Sequence, residues 1–514
     1  MDSPPPEFSR GKGAAIARIV TDPAFTDVLE KRYFQFFRQR TVASTNSLMN
    51  SRFWDRVVLQ ICHIEPAVKH AVLALSSLHQ ISEATQDTDL ALQHQRYADQ
   101  HYQRALSAAQ GLLHSSTPED IDRVLIACLV FTCYENVRGN YQASQIHQGS
   151  GRAILAQHRD RLSRIARRND LNEIKGLFAR LDVAAMAFSI TNARYPYDMQ
   201  SFFATNPNLN PDAFNTVEEA RAPLIDHVRW CIVYGQGIFD AALKNDPSLP
   251  ELEAELQKVR INLQRWSVHF EAVVARDPAA SPILTRALRI WHLLASIEVA
   301  ANWYGSEMRF DAFTAEYERL VSYAEEINAL LAQTPERGAF SFDLGVTICL
   351  FGTVQRCRDP RIRRRALAAM HAGPKQEGTW GYPGAARAVE QWMLFEEAGL
   401  EGVERASDVP EWRRIINMDA AIDPARGVAE LIFGVTPSVG HEEELRLGTL
   451  GVRRFDEGEE TDAAVRPFSM GSGQSSRYRA RFGFHLLNAA GYADADSLGL
   501  LVDEGHHESP VCKG

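Results

Sequence analysis

The sequence predicts an all-α protein: a multi-helix array of packed antiparallel helical hairpins, with a poorly ordered N-terminus and a Gly-rich C-terminal tail. Three observations predict it. Apolar residues recur at i, i+3 and i+4 in one segment after another, the period of a helix with one buried face. The interruptions carry helix-stop and helix-start signals, among them Asp246-Pro247, Asp277-Pro278, Ser281-Pro282, Thr334-Pro335 and Asp359-Pro360. No alternation of strand type stands out in the first 400 residues.

Three units follow from this patterning: a disordered N-terminus over residues 1–24, an all-helical region over 25–435, and a Gly- and acid-rich tail over 436–514. The N-terminus is Pro-rich and then bears Gly, Lys and Arg. An aromatic stripe of Phe25, Leu29, Tyr33, Phe36 and Phe37 marks the first helix, and Phe53-Trp54 opens the second. Glu65-Pro66 starts a third, with proline at a first turn where no hydrogen bond is lost and a face of Val68, Ala71, Val72, Leu75 and Leu78. A long helix spans about Leu90 to Leu113.

Thr117-Pro118-Glu119-Asp120 then reads as N-cap, N1 and an acidic first turn. A basic run over Arg159–Arg168 is expected to be a solvated helix end or linker. Tyr195 to Phe214, rich in Pro, Asn and aromatics, breaks the series. Helices are expected over 216–244, 251–276, 281–304, 309–333, 343–357, 359–372 and 382–398. From Gly440 onward lie 11 of the 32 glycines, with poor periodicity and acids at Glu442–Glu444 and Asp456–Glu460, hence the expectation of a loosely ordered tail.

The chain is organised around Ile121–Leu155, two helices joined by Arg138-Gly139-Asn140. The first arm buries Ile121, Val124, Leu125, Cys128, Leu129 and Thr132. On the second, Ala143, Ile146, His147, Ser150, Ala153 and Ile154 form the corresponding face, and Gly149 and Gly151 admit a close neighbour. Glu135 and His147 are polar residues on these surfaces, near the turn on opposite arms. A carboxylate–imidazole bond between them would make an internal clamp, or they would line an effector pocket. General acid–base catalysis by this pair would need a cleft and a further partner that the sequence does not supply.

Composition narrows the function classes. With 514 residues, 45% hydrophobic and 23% charged, the chain can bury a large core without metal or disulfide support. A net charge of −10 argues against a surface that grips nucleic acid throughout. The seven cysteines are scattered, mostly in apolar helical runs and without C-x2-C spacing, and are read as reduced core residues of an intracellular protein. The N-terminus lacks the apolar segment of a secretory signal, and no apolar run reaches the length of a membrane span.

Catalytic templates are absent: no G-x-S-x-G elbow, no phosphate-binding G-x-x-x-x-G-K-[ST], no G-x-G-x-x-G after a strand. His441-Glu442-Glu443-Glu444-Leu445 fails H-E-x-x-H at its last position. His63 and His70, seven apart, would share a face only on a helix beginning before Glu65-Pro66. No enzyme, cofactor or metal is expected. The densest basic segment, with Arg358, Arg361, Arg363, Arg364 and Arg365, is a candidate basic surface. Asp359-Pro360 caps it as a helix, and Ile362, Leu367 and Met370 give that helix an apolar side.

The order of several segments resembles the C-terminal regulatory region of fungal zinc-cluster (Zn2Cys6) transcription factors. These are KRYFQFFRQRT at Lys31–Thr41, FWDRVVLQ at Phe53–Gln60, EPAVKHAVLALSSLH at Glu65–His79 and YQRALSAAQGLL at Tyr102–Leu113. CLVFTCYENVRGNYQASQIHQGSGRAIL at Cys128–Leu155 follows, then CRDPRIRRRAL at Cys357–Leu367, EGTWGYPGAARAVEQWMLFEE at Glu377–Glu397 and EWRRI at Glu411–Ile415. The resemblance implies an all-α region that modulates transcription in the nucleus or from the cytoplasm. It would do so through protein partners of the transcription machinery, another regulator, or a small-molecule effector.

The family's DNA reader is a six-cysteine cluster near the N-terminus, whereas the first cysteine here is Cys62, already within the helical region. The expectation is therefore a regulator lacking that cluster, with no direct DNA binding by this chain and no membrane contact. A chain that has lost the module, a reading that omits an upstream exon, and a protein that regulates without touching DNA all fit that departure. A helical interaction scaffold is the alternative function, and a helical enzyme the remote one.

Overall fold

The structure is a computed structural model. It describes Phe25, Asp212 and residues 27–83, 88–113, 117–158, 168–187, 214–333, 340–374, 376–423, 428–435, 452–455 and 476–483. The expected disorder of residues 1–24, most of the basic run from Arg159 and nearly all of the break from Tyr195 lie outside these residues.

The described residues of the first half are helices and the turns that join them. Helix α1 (Val28–Phe36) continues through a π-turn, Phe37–Thr41, into α2 (Val42–Met49). Asn50 ends α2 in the left-handed region at φ 47°, one of the few non-glycine residue types that tolerate it. Arg221 donates to the carbonyls of Met49 and Asn50, so a side chain from a distant helix satisfies acceptors that the end of α2 leaves open. A second π-turn, Phe53–Val57, leads into the short α3 (Val58–Ile61). Next come α4 (Pro66–Glu83), α5 (Thr88–Leu113), α6 (Pro118–Val137), α7 (Tyr141–Gln157) and α8 (Arg168–Met186). The caps at the α6 start are those the sequence predicts: Thr117 accepts from Asp120 N at 3.2 Å, with Pro118 at N1.

The second half adds α9 (Val217–Lys244), α10 (Leu249–Arg276), α11 (Pro282–Ala301), a 3-10 turn (Glu307–Phe313), α12 (Thr314–Ala332), α13 (Thr347–Arg356), α14 (Pro360–Ala372) and α15 (Tyr382–Glu397). Asp359 caps α14 by accepting from Arg361 N and Ile362 N, both at 3.0 Å. Successive helices pack as antiparallel neighbours, as in α4–α5, α6–α7 and α9–α10, so the all-α array of helical hairpins is the architecture of this region.

Two corrections concern strands. Three two-residue strands, β1 (Phe340–Ser341), β2 (Gln376–Glu377) and β3 (Trp380–Gly381), form a small mixed sheet between helices. They are too short to leave a period in the sequence. The last α-helix ends at Glu397, and only single 3-10 turns, Ala406–Asp408 and Glu411–Arg413, follow before the next strand begins, so the region up to 435 is not helical throughout. Strands β4 (Ile415–Asp423) and β5 (Val428–Val435) pair as an antiparallel hairpin, and β6 (Val452–Phe455) and β7 (Ser476–Gly483) from the Gly-rich tail extend it in the order β4-β5-β7-β6. Leu431 and Phe433 are buried two apart, the period of a strand, and Phe433 packs on the rings of Trp392 and Phe395 of α15. The rest of the tail lies outside the described residues.

The interior divides into two hydrophobic clusters. One gathers α1 and α3 to α7 around Phe37, Trp54, Leu75, Leu125 and Leu129, with Phe342 reaching in from the second half. The other gathers α9 to α15 around Trp266, Trp291, Tyr317 and Trp392. Helix α8 belongs to both: Leu171, Ile174, Leu177, Phe178 and Leu181 pack in the first, Ala179 and Val183–Met186 in the second. The six described cysteines are buried and form no disulfide with one another, and desolvation pushes the Cys128 and Cys357 thiols up to about 12, so these two stay protonated and unreactive.

Candidate functional site

The α6–α7 hairpin turns at Arg138-Gly139-Asn140, where Gly139 takes φ 71° and the Asn140 side chain caps α7 by accepting from Ala143 N. Helix α6 is buried on nearly every side, including all six positions expected to face inward. Helix α7 is turned relative to expectation. Its buried residues are Tyr141, Ser144, Gln148, Gly151, Arg152 and Leu155, whereas Ile146 is 61% exposed.

The reason is that α7 packs through polar groups. Ser144 donates to Asn136, and Gln148 and Arg152 donate to Asp182 of α8 at 2.8 and 3.1 Å. Hydrophobic periodicity therefore points to the wrong side. Gly151 does admit a close neighbour: a Cβ there would lie 2.3 Å from the Phe178 ring. Gly149 has only Arg152 nearby, at 3.9 Å.

Glu135 and His147 approach a common residue that the sequence reading passed over. The Tyr102 hydroxyl of α5 lies 2.9 Å from His147 Nε2 and also hydrogen-bonds the Glu135 carboxylate. A relay results when His147 carries its proton on Nε2: imidazole N–H to tyrosyl oxygen, tyrosyl O–H to carboxylate. Tyr102 stacks on Tyr134 with ring centroids 4.1 Å apart, and Tyr134 donates to Asp99 at 2.9 Å. Arg138 donates to the same Asp99 oxygen at 2.8 Å. Burial raises the Glu135 carboxyl above its ordinary value, against the lowering effects of the Tyr102 hydrogen bond and Arg138, and one buried oxygen, Oε2, has no hydrogen-bond partner. Burial likewise lowers His147.

A carboxylate whose pKa is raised by folding destabilises the folded state once ionised. Stability from this group is gained as pH falls through the raised value toward the ordinary 4.5, and is absent above it. His147 acts in the opposite direction, losing stability as pH falls below its ordinary 6.5. Glu135→Gln is thus expected to raise stability at pH 7 by roughly 1 kcal/mol, because the amide stays polar but removes the charge whose burial raises the carboxyl. It should also remove the acid-side gain, leaving only the histidine-like slope. Urea midpoints measured from pH 4 to pH 8 on both proteins check this; identical pH profiles would refute it.

The candidate basic surface divides. Arg358 and Arg363 are fully buried and are not surface residues. Arg358 donates to Glu396 Oε1 at 2.9 Å and to Glu307 at 3.0 Å, and Arg363 donates to Glu396 Oε2 and to the Val354 carbonyl. Helix α14 turns Arg363 inward on the same side as Ile362, Ala366 and Leu367, and Arg358, just before the Asp359 cap, reaches the same Glu396 carboxylate from the segment that precedes the helix. Arg361, Arg364 and Arg365 do reach the surface, where they pair with Glu318, Glu397 and, for Arg365, Glu318 and Glu325 together.

Sequence reasoning missed the other buried ion pairs. Arg180 donates from Nε and Nη2 to the two oxygens of Asp343 at 2.6 and 2.9 Å, joining α8 to the segment after β1. Asp182 receives Arg229 at 2.8 Å as well as Arg152. Arg414 binds Asp311 through both terminal nitrogens at 2.7 Å. The available signal was charge embedded in an apolar run: Arg180 and Asp182 interrupt Leu177, Phe178, Leu181 and Val183 on α8.

A family profile described as "Fungal specific transcription factor domain" matches residues 32–342. Over 327 residues the chain is 23% identical to the aspercryptin biosynthesis cluster-specific transcription regulator atnN of Emericella nidulans, a match covering 58% of this chain and 50% of that protein. Over 112 residues it is 31% identical to the transcription regulator lscL of Purpureocillium lilacinum, covering 21% of this chain and 27% of that protein. The chain thus spans half or less of the length of these curated relatives. No solved structure matches. None of the described helices is long and apolar enough to cross a membrane.

Proposed function

Because the chain belongs to the family of the fungal specific transcription factor domain, we propose that it regulates transcription in the nucleus through protein partners or a small effector. In this reading its helical region neither binds DNA directly nor performs catalysis. The observation that carries the reading is the fate of the arginines from Arg358 to Arg365. Two are buried against Glu396, and the exposed Arg361 and Arg364 and the half-buried Arg365 each meet a glutamate. Phosphate binding depends on cations that can release counterions. Here those cations are already neutralised by the protein's own carboxylates, which leaves contacts of other kinds to transmit a signal. The Glu135–Tyr102–His147 cluster, with its unpaired buried oxygen, is the position where a donor-bearing effector would be received.

Fusing the chain to a foreign DNA-binding domain tests the regulatory reading. Activation or repression of a reporter bearing that domain's site is the expected result. An unchanged reporter, with the fusion present in the nucleus, would favour an interaction scaffold instead. Sequence-specific retention of the purified chain on DNA would overturn the exclusion of direct binding.

A further inference from the structure

Helices α1, α4 and α5 converge on a group of side chains that the regulatory reading does not use. His70 Nδ1 and His101 Nδ1 stand 3.0 Å apart. Glu30 completes a set of three whose ligating atoms all lie within 4.8 Å of one another. His70 does not share a face with His63, which sits in the turn before α4 against the rings of Phe25 and Phe34. Its partner comes from α5, 31 residues away.

We propose that Glu30, His70 and His101 form a binding site for a divalent transition-metal ion of the zinc class. Two imidazoles and one carboxylate are a donor set that zinc accepts, with a fourth position left to water. Nitrogens bound at about 2.05 Å to one tetrahedral ion stand about 3.3 Å apart, so loading requires the two rings to separate by about 0.3 Å and to turn until both Nδ1 lone pairs meet at the ion. Both histidines are kept neutral by burial, the form that ligates, with His101 lowered to about 3. Their present contact is a hydrogen bond, so one ring carries its proton on Nδ1. That proton moves to Nε2 when the metal takes the Nδ1 lone pair, and no proton need be released.

The surroundings fix the rings. Tyr97 stacks on His101 with centroids 4.2 Å apart, and Tyr33 stacks on Tyr97 at 4.1 Å. The Tyr97 hydroxyl is buried without a hydrogen-bond partner, an unpaired donor and acceptor close to the group. Without metal, Lys69 holds Glu30 at 2.7 Å. The ammonium therefore competes with the ion for this carboxylate. Binding exchanges Lys69 for the ion, which sets a moderate affinity suited to a reversible signal and not to a permanent structural site. The inference does not rest on the transcriptional reading, and metal titration in vitro fails or succeeds independently of the reporter.

The test is titration of the chelator-treated full chain with Zn2+ by calorimetry, and with Co2+ by visible absorption. One equivalent per chain is expected to bind more tightly than any other, with a cobalt d–d band and no thiolate charge-transfer band. His70→Ala, His101→Ala and Glu30→Gln should each weaken that site by roughly tenfold or more. His63→Ala should leave it unchanged, and Lys69→Met should tighten it by removing the competing ammonium. Circular dichroism establishes that each variant is folded. If His101→Ala is not, the half-buried His70 supplies the decisive variant. No binding by the wild-type chain, or equal binding by folded His70→Ala, would overturn the proposal.

Discussion

Glu396→Ala is expected to destabilise the protein by about 3–5 kcal/mol, the cost of leaving buried charge without its partner. Glu396 is fully buried at the end of α15. Its Oε1 accepts from Arg358, from Trp392 Nε1 at 3.1 Å and from the backbone N–H of Ile415 at 2.8 Å, while Oε2 accepts from Arg363. Removing it takes from Arg363 its closest carboxylate and from Arg358 one of its two, both guanidiniums being 0% exposed, and also releases the first residue of β4. A typical domain has only about 5–15 kcal/mol in total, so the loss is a large fraction of the whole.

Denaturant midpoints for wild type, Glu396→Gln and Glu396→Ala check this. The glutamine variant should fall between the others, because it keeps hydrogen-bond acceptance and loses the charge. A loss under about 1 kcal/mol for alanine would show that water reaches the arginines. The same network fixes an acid limit. Burial opposes ionisation of Glu396 and Glu307, but the adjacent arginines outweigh it and hold both carboxyls below their ordinary 4.5. Their stabilisation is fully present above pH 4.5 and is lost as pH falls from there through the lowered values.

Asp182→Ala is the second large effect, again about 3–5 kcal/mol. Asp182 lies on α8 with its side chain 1% exposed, and it accepts from Gln148 and Arg152 of α7 and from Arg229 of α9. Three helices lose their common polar anchor at once. Thermal melting should show the loss, and near-ultraviolet circular dichroism should show altered packing around Tyr141 and Trp230, which lie on the helices released. Asp182→Asn should cost less, since the amide oxygen still accepts. An alanine variant as stable as wild type would mean that the arginines find other acceptors.

These two carboxylates explain what the sequence disclosed and what it withheld. Helix existence, order and caps were legible because they depend on local signals: Thr117 and Asp359 cap where expected, and the α4 face of Val68, Ala71, Val72, Leu75 and Leu78 is buried as expected. The orientation of α7 was not legible, because its inward positions include Ser144, which bonds Asn136 of α6, and Gln148 and Arg152, whose shared partner Asp182 is 30 residues beyond Arg152. The arginine run misled for the same reason. Charge reads as surface until its counter-charge is located, and Glu396 is 33 residues after Arg363. At the candidate site, Glu135 and His147 were visible as polar residues on apolar faces, but Tyr102, which stands between them, comes from a different helix. The β4–β5 hairpin is short and follows a helical series, so its period of two was easily absorbed into the preceding pattern.

Helix α8 bears on how the chain could be divided. The arginine-rich stretch before it looks like a natural place for a cut, with a closed α1–α7 unit on one side and a second unit on the other. Severing there would carry away Leu171, Ile174, Leu177, Phe178 and Leu181, a whole wall of the first interior, on the wrong fragment. Severing after α8 instead would strip Val183, Ala184 and Met186 from the second interior and break the tie between Arg180 and Asp343. Neither fragment would be a self-sufficient unit. The seam between the halves falls within α8 itself, whose longer N-terminal part walls the first interior while its C-terminal end serves the second.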